Sequence, residues 1–146
     1  MGDEPHISSD SCRAFYRHWR SLAAELEIPH SRTFLNQPDP ISIPSVFILE
    51  VTEAGLLIRF MGTALVERWG RDQTNKIFAG AFSEQVLKAM ILNCRTLVDH
   101  PCGVVEEAMF STRSGRPFLM ETIMLPLDVD VGRPPRLCSF SQMLDI

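Results

Sequence analysis

The sequence predicts an α+β domain: a five-stranded antiparallel sheet with helices on one face and an additional N-terminal helix. Three observations predict it. A stripe of apolar residues at helical period opens the chain, two alternating runs joined through a glycine turn follow, and three more such runs close it after a second helical pattern. A chain of 146 residues suits one domain. Residues 1–8 are expected as a loose tail, an N-terminal helix covers about 9–27, and the core spans about 45–145 of a single unit over 9–146.

Each element has a local reason. Ser9 or Asp10 is placed to cap the first helix, in which Phe15, Trp19, Leu22 and Leu26 form one apolar stripe. It is expected to end before Pro29, because the residue ahead of a proline avoids the helical region. Residues 29–46 hold four prolines and read as an ordered crossing loop with one short helical turn near 41–46. In the run 47–53, Phe47, Leu49 and Val51 share one strand face, and Glu50 and Thr52 the other. The run 56–62 is its hairpin partner, with Gly55 in the tight turn.

After Gly62 the period changes. Thr63 is expected to cap a two-turn helix that Trp69 and Gly70 end, and Asp72 or Thr74 then bonds the backbone of a turn. Ser83 caps a longer helix reaching to about 98, with Val86, Leu87, Met90, Ile91, Cys94, Leu97 and Val98 on one wide apolar stripe. Three strands follow over 103–113, 117–127 and 137–144, the first two joined by a tight turn at Ser114-Gly115-Arg116. Apolar residues stand on both faces of these strands, which leaves their faces unassigned.

A net charge of −4 and a pI near 5.5 exclude general nucleic-acid binding, which needs a basic surface. No apolar run of about 20 residues is present to span a membrane, and the polar, acidic start is unlike a signal peptide, so a cytoplasmic location is expected. The four cysteines, Cys12, Cys94, Cys102 and Cys138, form no CxxC pair and are expected to be reduced.

At the residue level the chain resembles a proteobacterial branch of PAS-like domains with no assigned activity. The matching stretches are Phe15-Tyr16-Arg17-His18-Trp19, Asp39-Pro40 with Ile43-Pro44, the run from Arg59 through Gly62-Thr63 to Gly70-Arg71-Asp72, the Ser114-Gly115-Arg116 turn and Leu125-Pro126-Leu127. One departure is Thr74-Asn75, where the family tends toward Thr-Gly; asparagine tolerates positive φ better than most residues. The resemblance implies a PAS-like fold and a stand-alone sensory or regulatory module in signalling, and not an enzyme.

In such a module a small apolar or amphipathic ligand would sit between the long helix and the sheet. Phe60, Met90, Cys94, Phe140, Ile58 and Glu121 are the residues expected near it, Glu121 being the carboxylate in an otherwise apolar strand. A second reading has no ligand: the protein acts by surface contact with a signalling partner or with its own copy. The Phe15, Trp19, Leu22 and Leu26 stripe then pairs in a homodimer or else covers the outer face of the sheet, and Arg13 and Arg17 form a partner contact. A third reading is a small isomerase-like enzyme on a cone-shaped α+β fold, which needs a buried carboxylate, its pKa raised, or a carboxylate–histidine pair.

Flavin and haem are both expected to be absent, and no metal site is expected. Asn93-Cys94-Arg95-Thr96-Leu97 resembles the flavin-reactive run of light-sensing LOV proteins, but it lies inside the long helix, and the matching place, Gly70-Arg71-Asp72, has no cysteine. His100-Pro101-Cys102 supplies two metal-binding types, short of the four convergent ligands that zinc takes.

Overall fold

The computed structural model describes residues 7–24, 27–78, 88, 92, 96, 103–111 and 115–144. Helix α1 is Asp10–Ser21 and α2 is Ser31–Asn36. A 3₁₀ turn, Ile43–Ser45, leads into strand β1, Val46–Thr52. Then come β2, Gly55–Met61, and α3, Thr63–Trp69. The last strands are β3, Val104–Ser111, β4, Pro117–Leu127, and β5, Arg136–Leu144. All pairings are antiparallel, in the order β2-β1-β5-β4-β3.

Both faces of this sheet are covered. On the outer face α1 lays Phe15, Tyr16 and Trp19 over Val46, Ile48, Ile123, Leu125, Cys138 and Phe140. Phe15 stacks on Phe140 with ring centroids 5.2 Å apart, and the Trp19 indole N–H donates to the Pro126 carbonyl at 2.9 Å. On the inner face Leu65 of α3 and Phe78 pack against Leu49, Leu56, Ile58, Met124 and Leu137. Two covered faces are why β4 and β5 are apolar at successive positions and carry no clean alternation.

The helix-capping chemistry differs from expectation in two places. Ser9 does cap α1, accepting from the Cys12 N–H at 3.0 Å, but α1 stops at Ser21 with Leu22 as its C-cap, well short of residue 27. The chain then forms α2, a helix the sequence did not signal, capped by His30, whose ring nitrogen accepts from the Arg32 N–H at 3.0 Å. Its entry is clamped to the end of β4 by Ser31 N–H to the Asp128 carbonyl, 2.9 Å, and Asp128 N–H to the Pro29 carbonyl, 2.8 Å. At α3 the cap is Gly62, not Thr63, and no side chain serves it. Gly62 lies against the 3₁₀ turn so closely that a Cβ there would stand 2.2 Å from the Pro44 carbonyl oxygen. Gly70 ends α3 at φ +86°.

The tail also ends earlier than expected. Ile7 is buried in the outer core and the Ser8 N–H is bonded to Glu121, so both belong to the folded domain. Beyond β2 the chain returns along that strand's free edge. Asn75 N–H donates to the Ile58 carbonyl, Ile58 N–H to Lys76, and Phe78 N–H to Leu56, at 2.6, 3.0 and 2.7 Å. Asn75 takes φ +69° in this turn, the conformation its side chain tolerates. The expected long helix lies outside the described residues except for Lys88, Leu92 and Thr96, which are helical and exposed, with the Thr96 hydroxyl donating to the Leu92 carbonyl at 2.9 Å.

Candidate functional site: a polar lane on the inner face of the sheet

Register assigns every strand residue to a face. Val104 and Met124 belong to the inner cluster. Two residues on from Val104, Glu106 lies opposite Thr122, and Thr122 lies opposite Ser141. Ser139, opposite Met124, is on the same face and buried. Glu106, Thr122, Ser139 and Ser141 therefore form a polar lane across β3, β4 and β5, set among Val104, Met120, Met124 and Phe47. The Thr122 and Ser141 hydroxyls are 2.8 Å apart and bonded to each other. Glu106, Thr122 and Ser141 are half-buried, and burial pushes the Glu106 carboxyl above its ordinary value. The lane offers hydroxyl donors and acceptors, and a carboxyl that burial inclines toward its neutral form.

The β1–β2 half of the same face is different. Leu49, Leu56 and Ile58 are essentially fully buried under Leu65 and Phe78, and Phe78 meets Phe47 edge-on at 5.5 Å and Trp69 at 6.1 Å. That half is filled by the protein's own side chains.

Of the residues expected around a ligand, the four that are described lie on opposite faces of the sheet. Ile58 faces inward, while Phe60, Phe140 and Glu121 face outward, under α1. A bulge puts Ile58 and Phe60, two residues apart, on opposite faces. Ile48 pairs with Phe60 but Leu49 with Ile58, which leaves Arg59 as the extra, exposed residue. Met90 and Cys94 lie outside the described residues, as do Leu26, His100 and Cys102.

Glu121 is a structural anchor. Its carboxylate accepts from the Ser8 N–H at 2.7 Å and the Ser9 N–H at 2.9 Å, directly ahead of α1. Burial pushes its carboxyl up, but the Ser9 and Ser8 N–H groups, with the Ser9 hydroxyl and the Cys12 thiol, outweigh burial and hold it below the ordinary range. This is the opposite of the raised, proton-holding carboxyl that the enzyme reading needs. The outer-face stripe is likewise packed within the chain: Phe15 and Trp19 are fully buried and Leu22 packs on the same cluster, so these three cover the sheet. Arg13 is tied to its own N-terminal segment through the Ile7 carbonyl at 2.6 Å, the Ser8 carbonyl at 3.2 Å and Asp10. Arg17 is exposed on α1.

Cys12 and Cys138 are buried free thiols; burial pushes Cys12 up to about 12 and Cys138 higher still. Among the described residues no three His, Cys, Asp or Glu side chains converge as a metal site, and no helix is long and apolar enough to cross a membrane.

The architecture is an α+β domain: a five-stranded antiparallel sheet with α3 inserted after its second strand. A PAS domain model matches residues 7–140, and the chain belongs to the PAS domain family. A search of curated proteins finds no match. Among solved structures, the chain is similar to a fungal LOV domain photoreceptor, one whose structural biochemistry is described as revealing a conserved pathway that integrates blue light and oxidative stress. That match has 13% identity, 93% coverage of this chain, 92% of the other and a TM-score of 0.51. It is similar also to the photo-excited blue-light photoreceptor Vivid, at 11% identity, 92% and 95% coverage and a TM-score of 0.51. A variant of Vivid gives 13% identity, 77% and 96% coverage and a TM-score of 0.50. At these identities the likeness is one of fold. PAS domains are generally sensory modules rather than catalysts.

The expectation that flavin is absent is corrected by these neighbours. They are LOV domains, the flavin-binding class, and the chain shares their fold.

Proposed function

We propose that this protein is a PAS sensor whose sensing surface is the β3–β5 half of the inner face, where a small molecule rests on apolar side chains and is held by the polar lane. The observation that carries this reading is Glu106, Thr122 and Ser141 in adjoining cross-strand positions among Val104, Met120 and Met124. Binding sites for small molecules combine mostly apolar walls with a few polar anchors in this way. The filled β1–β2 half supports placing the ligand over β3 to β5. The signal would leave through β4, where Thr122 faces the lane and the adjacent Glu121 grips the start of α1.

Native mass spectrometry of the purified protein against its denatured mass tests the reading. A mass excess that disappears on denaturation is expected, and its size names the ligand class. A protein that carries no excess and acquires none from a cell extract would instead be a module acting by surface contact alone.

A further inference from the structure

The two edges of the sheet differ. The β2 edge is closed within the chain by residues 75–78. β3 is the other edge. It pairs with β4 over eight consecutive residue pairs without a bulge, and among the described residues nothing pairs with its outer side. Its sequence, VVEEAMFS, has no proline and no lysine; its charges are Glu106 on the inner face and Glu107 on the outer. On the outer face the row Met109, Leu119 and Leu144 lies one step beyond Glu107, Glu121 and Gln142, where α1 begins. On that row Met109 is 60% exposed, and Leu119 and Leu144 are partly so.

We propose that β3 is a docking edge that takes an extended segment of another protein as a sixth strand. The partner's chemistry follows from the face pattern. Glu107, whose carboxylate also accepts from the Ser8 hydroxyl at 3.1 Å, and Met109 stand two residues apart on one face, so the added strand carries a basic residue and an apolar residue two apart. Opposite charges and apolar pairs across strands are stabilising neighbours. The exposed methionine suits an apolar side chain of variable shape. A second copy of this chain is a poorer occupant: pairing β3 with itself about Glu107 sets like charges directly opposite each other.

The test uses the whole protein and a short synthetic β-prone peptide with lysine and leucine two positions apart, followed by amide hydrogen exchange in NMR spectra. The expected result is that alternate amides of β3 gain protection as peptide is added. The same peptide with N-methylated backbone amides is expected to give none, and Glu107→Lys weakens binding about tenfold. Equal binding of the N-methylated peptide would mean adsorption by charge and would overturn the proposal. So would outward amides of β3 already protected in the free monomer, or protection that rises with protein concentration alone, which would make a second copy the occupant. None of these outcomes bears on the polar lane of the opposite face.

Discussion

Replacing Glu121 by glutamine isolates the anchor that fastens α1 to the sheet. The native carboxylate accepts the backbone N–H groups of Ser8 and Ser9 at 2.7 and 2.9 Å. Glutamine keeps one acceptor oxygen and turns an NH₂ group toward the second N–H, so one charge-assisted bond is lost and one donor is left facing another. A hydrogen bond to a charged group is worth about 1.5–3 kcal/mol, and the favourable position of a negative charge at a helix N-terminus is lost as well. The expected loss is about 2 kcal/mol, or roughly 6 °C in Tm for a domain of this size. The pH dependence carries a second signature. The native carboxyl lies below its ordinary value of 4.5. Its contribution is therefore fully present above that ordinary value and fades as pH falls through the lower native one. Thermal unfolding followed by circular dichroism at neutral and acid pH should show a variant that is less stable at neutrality and loses less on acidification. A variant as stable as wild type, or an acid loss of the same size in both proteins, would refute the anchor.

Gly62→Ala places a methyl group 2.2 Å from the Pro44 carbonyl oxygen and 2.5 Å from that of Ile43, both backbone atoms that a rotamer change cannot move. Urea unfolding should show a loss of about 3 kcal/mol, or failure to fold. Trp19→Phe removes the indole N–H that the buried Pro126 carbonyl accepts and should cost about 2 kcal/mol in the same assay. Mapping of thiol labelling by mass spectrometry should find Cys12 and Cys138 unmodified in the native protein and labelled at once in denaturant, because a thiol held near 12 or above carries almost no thiolate at neutral pH.

Much of the fold is legible in the sequence because period and punctuation agree. Phe47, Leu49 and Val51 alternate onto one face as expected, Gly55 takes φ +127° in the hairpin turn, and Gly70 ends α3. What failed was information that only tertiary contact supplies. The stripe of α1 looks the same whether it meets a second chain or its own sheet, and Phe140 stacked on Phe15 decides between them. Glu121 in an apolar strand signals a special position, but its partners Ser8 and Ser9 are more than a hundred residues away in sequence. The bulge at Arg59 separates Ile58 from Phe60 without any proline or glycine to announce it. The polar lane did leave a trace, since Thr122, Ser139 and Ser141 interrupt apolar strands at alternate positions. With both faces of β4 and β5 covered, alternation alone could not say that these three residues share a face.

The proposed sensing surface is the inner face over β3 to β5, and two neighbouring substitutions on β5 separate it from the opposite face. Ser141 lies in the lane, while the adjacent Gln142 pairs with Glu121 on the opposite face. Ligand occupancy is measured by native mass spectrometry on wild type, Ser141→Leu and Gln142→Leu. Ser141→Leu is expected to empty the protein while Gln142→Leu remains as loaded as wild type. Full occupancy in Ser141→Leu, or loss in Gln142→Leu alone, would contradict the proposal.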